Sequence, residues 1–230
     1  METSASPRSP YLTIWTEPRG AIRQIVDRNP RYHVIFLTVL GAEIAACWGL
    51  LVKPAGLAQM VPQLAPQVTP QMVQQTLRML SLAALVALPL FAVISLYGAA
   101  ALLRWAGGLI GGTATAAEVR AAIAWSTIPS IVSTAVSLLG LVTGAAIVPA
   151  PQNFAGVQTL FLQINAFEVI NLILAIWSTV IWLNCMGEVN RFSAWRALGA
   201  SAIATAVGIG IAIGLGIALM ITMFFYIRNS

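Results

Sequence analysis

Two carboxylates stand where a carboxylate is costly. Glu43 lies nine residues on from the start of an apolar run at 34–52, and Glu168 lies eight residues into a run at 160–184. A charged side chain at the centre of a membrane helix costs roughly 2.5–3.5 kcal/mol on insertion scales, so an acid retained there needs a reason. Asn165 and Asn171 flank Glu168 at three-residue spacing, which puts all three toward one side of a helix. Read from opposite ends of their runs, Glu43 and Glu168 fall at similar depth near the midplane. No Arg or Lys lies at that depth to pair with them. Two chemistries suit the set. One is a polar site for a proton, a cation or a lipid headgroup, with a proton shared between the acids. The other is structural: protonated acids hydrogen-bond to Asn or Ser and join helices.

Other chemistry finds no footing in the residues. His33 is the single histidine and sits at the edge of the first apolar run. There is no H-E-x-x-H, no G-x-S-x-G and no phosphate-cradling glycine loop followed by Lys. Cys47 falls inside the first apolar run and Cys185 at the inner end of the fourth helix, so neither a disulfide nor a metal site is expected, and no cofactor is implied. Basic residues are not interleaved with aromatics, which argues against a nucleic-acid partner. The expectation is a protein that is not an enzyme.

The elements that must position these residues are helices in lipid. Hydrophobic residues make up 59% of the 230 and charged residues 8%, against about 25% charged in ordinary soluble domains, so the chain lacks the polar surface to sit in water. A spanning helix needs about 20 mostly apolar residues. Five runs reach that length, at 34–52, 79–103, 121–148, 160–184 and 198–227, and none alternates as a barrel strand would. The fold expected is therefore all-α: a polytopic transmembrane bundle of about five spans, residues 34–230, preceded by a segment at 1–33. Nothing in that segment reads as a cleavable signal, and the first span is expected to stay. Thr16-Glu17-Pro18 reads as a helix start, and Ala21, Ile22, Ile25 and Val26 then share one face, with Arg19 and Arg23 on another. This is a short amphipathic helix suited to the membrane interface.

Local signals mark the joints. Residues 53–78 carry Pro62-Gln63, Pro66-Gln67 and Pro70-Gln71, which suggests extended or turn structure, with Thr69-Pro70 as a cap and first-turn proline for the second helix. Thr115 and Glu118 match a capping box, and Ser193 is a cap for the last helix. Pro89 and Pro129 should kink or loosen the second and third spans. In the last span, Ala204, Gly208, Ala212 and Gly216 recur every four residues, with Gly210 and Gly214 in a second row. Such rows let helix backbones approach closely, here against neighbours in the same chain or in another subunit. Arg8, Arg19, Arg23, Arg28 and Arg31 precede the first span, Arg104 and Arg120 lie between the second and third, and Arg191 and Arg196 between the fourth and fifth. The other side has only Lys53, Arg78 and Arg228. Positive residues favour the cytoplasmic side, so the N-terminus is expected inside and the C-terminus outside.

The order Gly111-Gly112-Thr113, Trp125-Ser126-Thr127-Ile128-Pro129, Trp177, Glu188-Val189 and Phe192-Ser193-Ala194-Trp195-Arg196-Ala197 resembles the Yip1 family. Ile14-Trp15-Thr16-Glu17-Pro18-Arg19 is similar to the opening of its prokaryotic members, and the resemblance covers nearly the whole chain. It implies a five-helix membrane protein with a cytoplasmic N-terminus, here in a bacterial cytoplasmic (inner) membrane. It also implies partners that are membrane lipids and other membrane proteins, or further copies of the chain. Eukaryotic relatives contact Rab GTPases through a longer cytosolic region. Only about thirty residues precede the first span here, which speaks against carrying a GTPase partner over. Two functions stay open: a membrane organiser or adaptor, and a small transporter, channel or lipid scramblase using Glu43 and Glu168.

Overall fold

The structure is a computed structural model and describes residues 9–51, 68–143 and 166–229. Those residues form eight helices and no strand: α1 (Pro10–Thr16), α2 (Pro18–Arg28), α3 (Val34–Leu51), α4 (Pro70–Leu109), α5 (Ala116–Ser126), α6 (Ile128–Val142), α7 (Ala166–Val189) and α8 (Ala194–Asn229). Four stretches are long and apolar enough to cross a membrane: Gln71–Leu109, Ala116–Val142, Phe167–Val189 and Ala194–Tyr226. The first apolar run forms α3, whose 18 residues reach ~27 Å, a little under a ~30 Å hydrocarbon layer. The described residues thus form an all-α, multi-pass helix bundle, with four stretches long enough to span and a shorter apolar helix.

Helix starts follow local chemistry. The Thr69 hydroxyl accepts from the Met72 amide at 3.2 Å, and Pro70 occupies the first turn, where its missing N–H has no partner to lose. α4 therefore begins nine residues ahead of the apolar run and carries 40 residues without interruption through Pro89. On α5 the Thr115 amide donates to Glu118 Oε2 at 2.5 Å and the Glu118 amide donates to Thr115 Oγ1 at 3.3 Å, a complete capping box. The two prolines differ in place: Pro89 lies inside a continuous helix, where it has no N–H to give the preceding turn, and Pro129 lies at a break. The third span divides into α5 and α6 at Thr127, and Pro129 sits in the first turn of α6.

Packing arranges the long helices in a cycle: α3 lies against α4 and α6, α7 against α6 and α8, and α8 returns to α4. α5 is held among α2, α3, α4 and α7. The fully buried side chains gather at this end of the bundle, with Ile14, Ile22, Val119, Trp125, Ile181, Cys185 and Met186 all at or below 2% exposure. The amphipathic helix is present as α2, and its apolar face, Ala21, Ile22 and Ile25, is occupied by the bundle itself, against α5 and α7. Away from this end, Leu90, Phe91, Ile94, Ile173, Leu215 and Phe224 point outward, as lipid-facing side chains do.

Candidate functional site

The intramembrane residues singled out from sequence are distributed over different helices. Glu43 is half-buried on α3, and Glu168 is exposed in the first described turn of α7. Asn165 lies outside the described residues. α3 and α7 both pack on α6, and it is α6 that Asn171 meets. Ser133 donates to Asn171 Oδ1 at 2.6 Å, and Asn171 Nδ2 donates to Ser137 Oγ at 2.8 Å. Two turns further along α7, Ser178 shares a 2.9 Å hydrogen bond with Ser130. Ser130, Ser133 and Ser137 recur at helical spacing, so these contacts form one polar seam between α6 and α7.

The small-residue rows of α8 divide at Gly208. Ala200 and Ala204 are buried, and a Cβ on Gly208 would lie 3.9 Å from Leu102 of α4. Ala212 is exposed, and Gly210, Gly214 and Gly216 have open space where a Cβ would sit. Close backbone approach within the chain thus stops halfway along the helix.

The best-organised polar group lies at the N-terminal end of the bundle, where α2 crosses the end of α7. Arg19 Nε donates to Asn184 Oδ1 at 3.0 Å, and its Nη1 is 3.5 Å from Glu188 Oε2. Arg23 Nε donates to Glu188 Oε1 at 2.7 Å, and its Nη2 reaches the same oxygen. The Glu188 side chain is only 13% exposed, whereas those of Arg19 and Arg23 are 42% and 67% exposed. One shielded carboxylate thus anchors two solvated guanidiniums, a geometry that charge-assisted bonds favour. Gly187 leaves room for both the turn after α7 and Arg19: an added Cβ would come within 3.0 Å of the Phe192 carbonyl oxygen and 3.1 Å of Arg19 Nη2. Beside the group is a cavity of about 800 Å³ that Asp27, Glu118 and Arg191 also line.

Ring N–H groups finish the docking of the N-terminal segment. Trp177 Nε1 donates to the Trp15 carbonyl at 3.2 Å, and Trp125 Nε1 donates to the Tyr32 carbonyl at 3.1 Å. Tyr11 bonds to His33 and lies 4.8 Å from the Trp125 ring, and Tyr32 stacks on His33 at 3.9 Å. Burial, and then the neighbouring Tyr32, push the Tyr11 hydroxyl above its ordinary range, which keeps it neutral. On the other side of α7, Asn190 is 1% exposed and rests on the turn that joins α4 to α5. An added Cβ at Gly107 would come within 2.8 Å of Asn190 Oδ1, and one at Gly112 within 2.5 Å.

Sequence alone did not mark Arg19, Arg23, Asn184, Glu188 and Asn190 as a group. A signal existed, since Arg19 and Arg23 share a face of α2 and Glu188 is the acid at the end of the fourth apolar run. The contacts, however, join positions 165 residues apart, and no local pattern reports such a pairing. Among the described residues, no three His, Cys, Asp or Glu side chains come together as metal ligands would.

No curated protein and no solved structure matches the chain. The family model of the Yip1 domain matches residues 12–225. That match begins inside α1 and runs nearly to the end of α8, so it takes in the docked N-terminal segment as well as the bundle. On this match the chain belongs to the Yip1 family of membrane proteins.

Proposed function

We propose that the protein is a membrane organiser or adaptor that acts through lipid and protein contacts, with no catalysis of its own. The observation that carries this reading is the docking of α2 on α5 and α7, fastened by Arg19 and Arg23 on Glu188, with α1 held by Trp177 on the Trp15 carbonyl and by Tyr11 against Trp125. It makes a folded polar platform at one end of the bundle out of distant parts of the chain. A platform of fixed shape is what a binding partner requires, since little ordering entropy is then lost on association. The arginine distribution supports placing that end at the cytoplasmic face of the membrane, and the resemblance to prokaryotic family members supports a bacterial inner membrane.

The second reading, a small transporter, channel or lipid scramblase, draws on a cavity of about 400 Å³ among α3, α4, α5 and α6. Hydroxyls of Thr38, Ser95, Thr127, Ser130 and Thr134 line it, beside aliphatic groups such as Leu37, Leu96 and Ile131. Neither Glu43 nor Glu168 is among its lining residues, and so the cavity favours helix packing over a titrating site. Purified protein in liposomes decides between the two. An organiser leaves proton, ion and lipid movement at the rate of protein-free liposomes. Movement that Glu43→Gln or Glu168→Gln abolishes would overturn the organiser reading.

A further inference from the structure

A second recess at the same end of the bundle has a different character. It is formed by the outer face of α4, the glycine turn after it and the start of α5, and encloses about 860 Å³. Tyr97, Ala101, Arg104 and Gly108 recur at helical spacing down the α4 wall, and all four are exposed. Arg120 closes the recess from α5, with its guanidinium carbon 4.6 Å from the centre of the Tyr97 ring. Among the described residues, the charged side chains that line it are Arg104 and Arg120, and no carboxylate is among them. Glu118, the nearest acid in sequence, is held in the capping box and lines the neighbouring cavity instead.

Depth makes this combination informative. Tyr97 precedes Arg104 by seven residues, so the ring lies ~10 Å deeper along α4. The Arg120 guanidinium lies over that ring, on the side of Arg104 that leads along the apolar shaft of α4. Among the described residues the face of Tyr97 is its one partner, and no salt bridge neutralises it. A guanidinium offers five N–H donors in a planar fork, and a single ring face satisfies none of them as an acceptor would. An unpaired charge at a lipid boundary is unfavourable unless an anion reaches it. The anion available where that apolar shaft meets the charged end of the bundle, on an outward face, is the phosphate of a lipid. Trp105, exposed on the same wall, is a residue type that settles at the headgroup level.

We propose that this recess is a binding site for an anionic phospholipid. Arg104 and Arg120 hold the headgroup phosphate, and the acyl chains lie along the apolar face of α4 past Tyr97 and Ile94. An all-cationic rim selects a headgroup of net negative charge over a zwitterionic one, because a choline or ethanolamine amine finds no carboxylate there. Arginine also suits the fork-like, bidentate grip that phosphate oxygens accept. The proposal rests on the membrane placement of the chain and not on the organiser reading, which the flux assay tests by itself.

The test uses the full-length protein in a neutral detergent, with lipid binding followed by native mass spectrometry and by the rise in melting temperature. Phosphatidylglycerol is expected to bind and stabilise, phosphatidylcholine to bind on the order of tenfold more weakly, and inorganic phosphate or glycerol phosphate at equal concentration to have no effect. Arg104→Gln with Arg120→Gln should weaken phosphatidylglycerol binding by on the order of tenfold or more. Arg196→Gln, at the same end but outside the recess, should leave it unchanged. Arg104 is exposed, so Arg104→Gln alone keeps the test valid if the double variant fails to fold. Equal binding of the two lipids, undiminished phosphatidylglycerol binding in the variants, or equal stabilisation by free phosphate would each overturn the proposal.

Discussion

Glu188 is where a single atom type matters most. It accepts from Arg23 and faces Arg19 while its own side chain is 13% exposed. Replacing it with Gln keeps the shape and removes the charge, leaving two guanidiniums opposite an amide whose N–H groups they cannot use. Solvent around Arg19 and Arg23 screens part of the loss, so the expected cost is about 1–3 kcal/mol rather than that of a fully buried pair. Arg23→Gln is expected to cost ~1 kcal/mol or less, because that side chain is 67% exposed. Thermal unfolding in detergent measures both, and limited proteolysis of α1 and α2 should quicken for Glu188→Gln and barely change for Arg23→Gln. Equal effects would mean that the carboxylate is not the anchor. At this scale the sequence was partly legible. The type and helical spacing of Arg19 and Arg23 were visible, as was the polarity of Asn171. Which residue each one meets depends on how distant helices cross, and single positions do not encode that.

At the scale of the element, the turn between α4 and α5 is the sharpest constraint. Gly112 accepts no side chain: an added Cβ would meet Asn190 Oδ1 at 2.5 Å and the Gly107 carbonyl oxygen at 2.9 Å, and the latter is backbone that cannot swing aside. Gly111 has a positive φ of +88°, where L-residues are strained, but open space around it. Gly108 has both room and helical backbone. Three alanine substitutions within five residues are thus expected to separate cleanly. Gly112→Ala should destabilise by ~1–3 kcal/mol through crowding, Gly111→Ala by ~1 kcal/mol through backbone strain, and Gly108→Ala should be neutral or slightly stabilising. Melting temperatures of the three variants in one detergent check the order, and a Gly112→Ala as stable as Gly108→Ala would rule out the keyed contact with Asn190. Helix ends were readable where Thr69, Thr115 and Glu118 act on amides three residues away, but Thr16 closes α1, and α2 starts from Glu17 without a side-chain cap. The division of the third span at Thr127 was less so: Pro89 and Pro129 are alike as residues, and only their place relative to a helix start distinguishes them.

For the whole molecule, the bundle is built by two forces that act at different heights. Its buried apolar cluster, with Ile14, Ile22, Trp125 and Met186, lies at the end where α1 and α2 close over α5 and α7. The charged side chains Arg19, Arg23 and Glu188 gather at that end, the setting in which apolar burial can drive packing. Deeper in the bundle lipid removes that drive, and helices are joined by hydrogen-bonded seams and small residues instead: Ser133 and Ser137 on Asn171, and Ala204 and Gly208 on their neighbours. Composition alone announced the lipid-facing part, but it could not show that the amphipathic face of α2 would be spent on the protein itself. Equivalent truncations at the two heights should therefore differ in cost. Ile22 is 0% exposed, and Ile22→Ala is expected to cost ~2–5 kcal/mol. Leu215, on the outer half of α8, is 62% exposed, and Leu215→Ala should stay within about 0.5 kcal/mol. Unfolding of both variants in the same detergent measures the contrast. If Leu215→Ala proved as costly as Ile22→Ala, the outer half of α8 would have to be packed against something, and the division of labour between charged end and lipid-bathed shaft would fail.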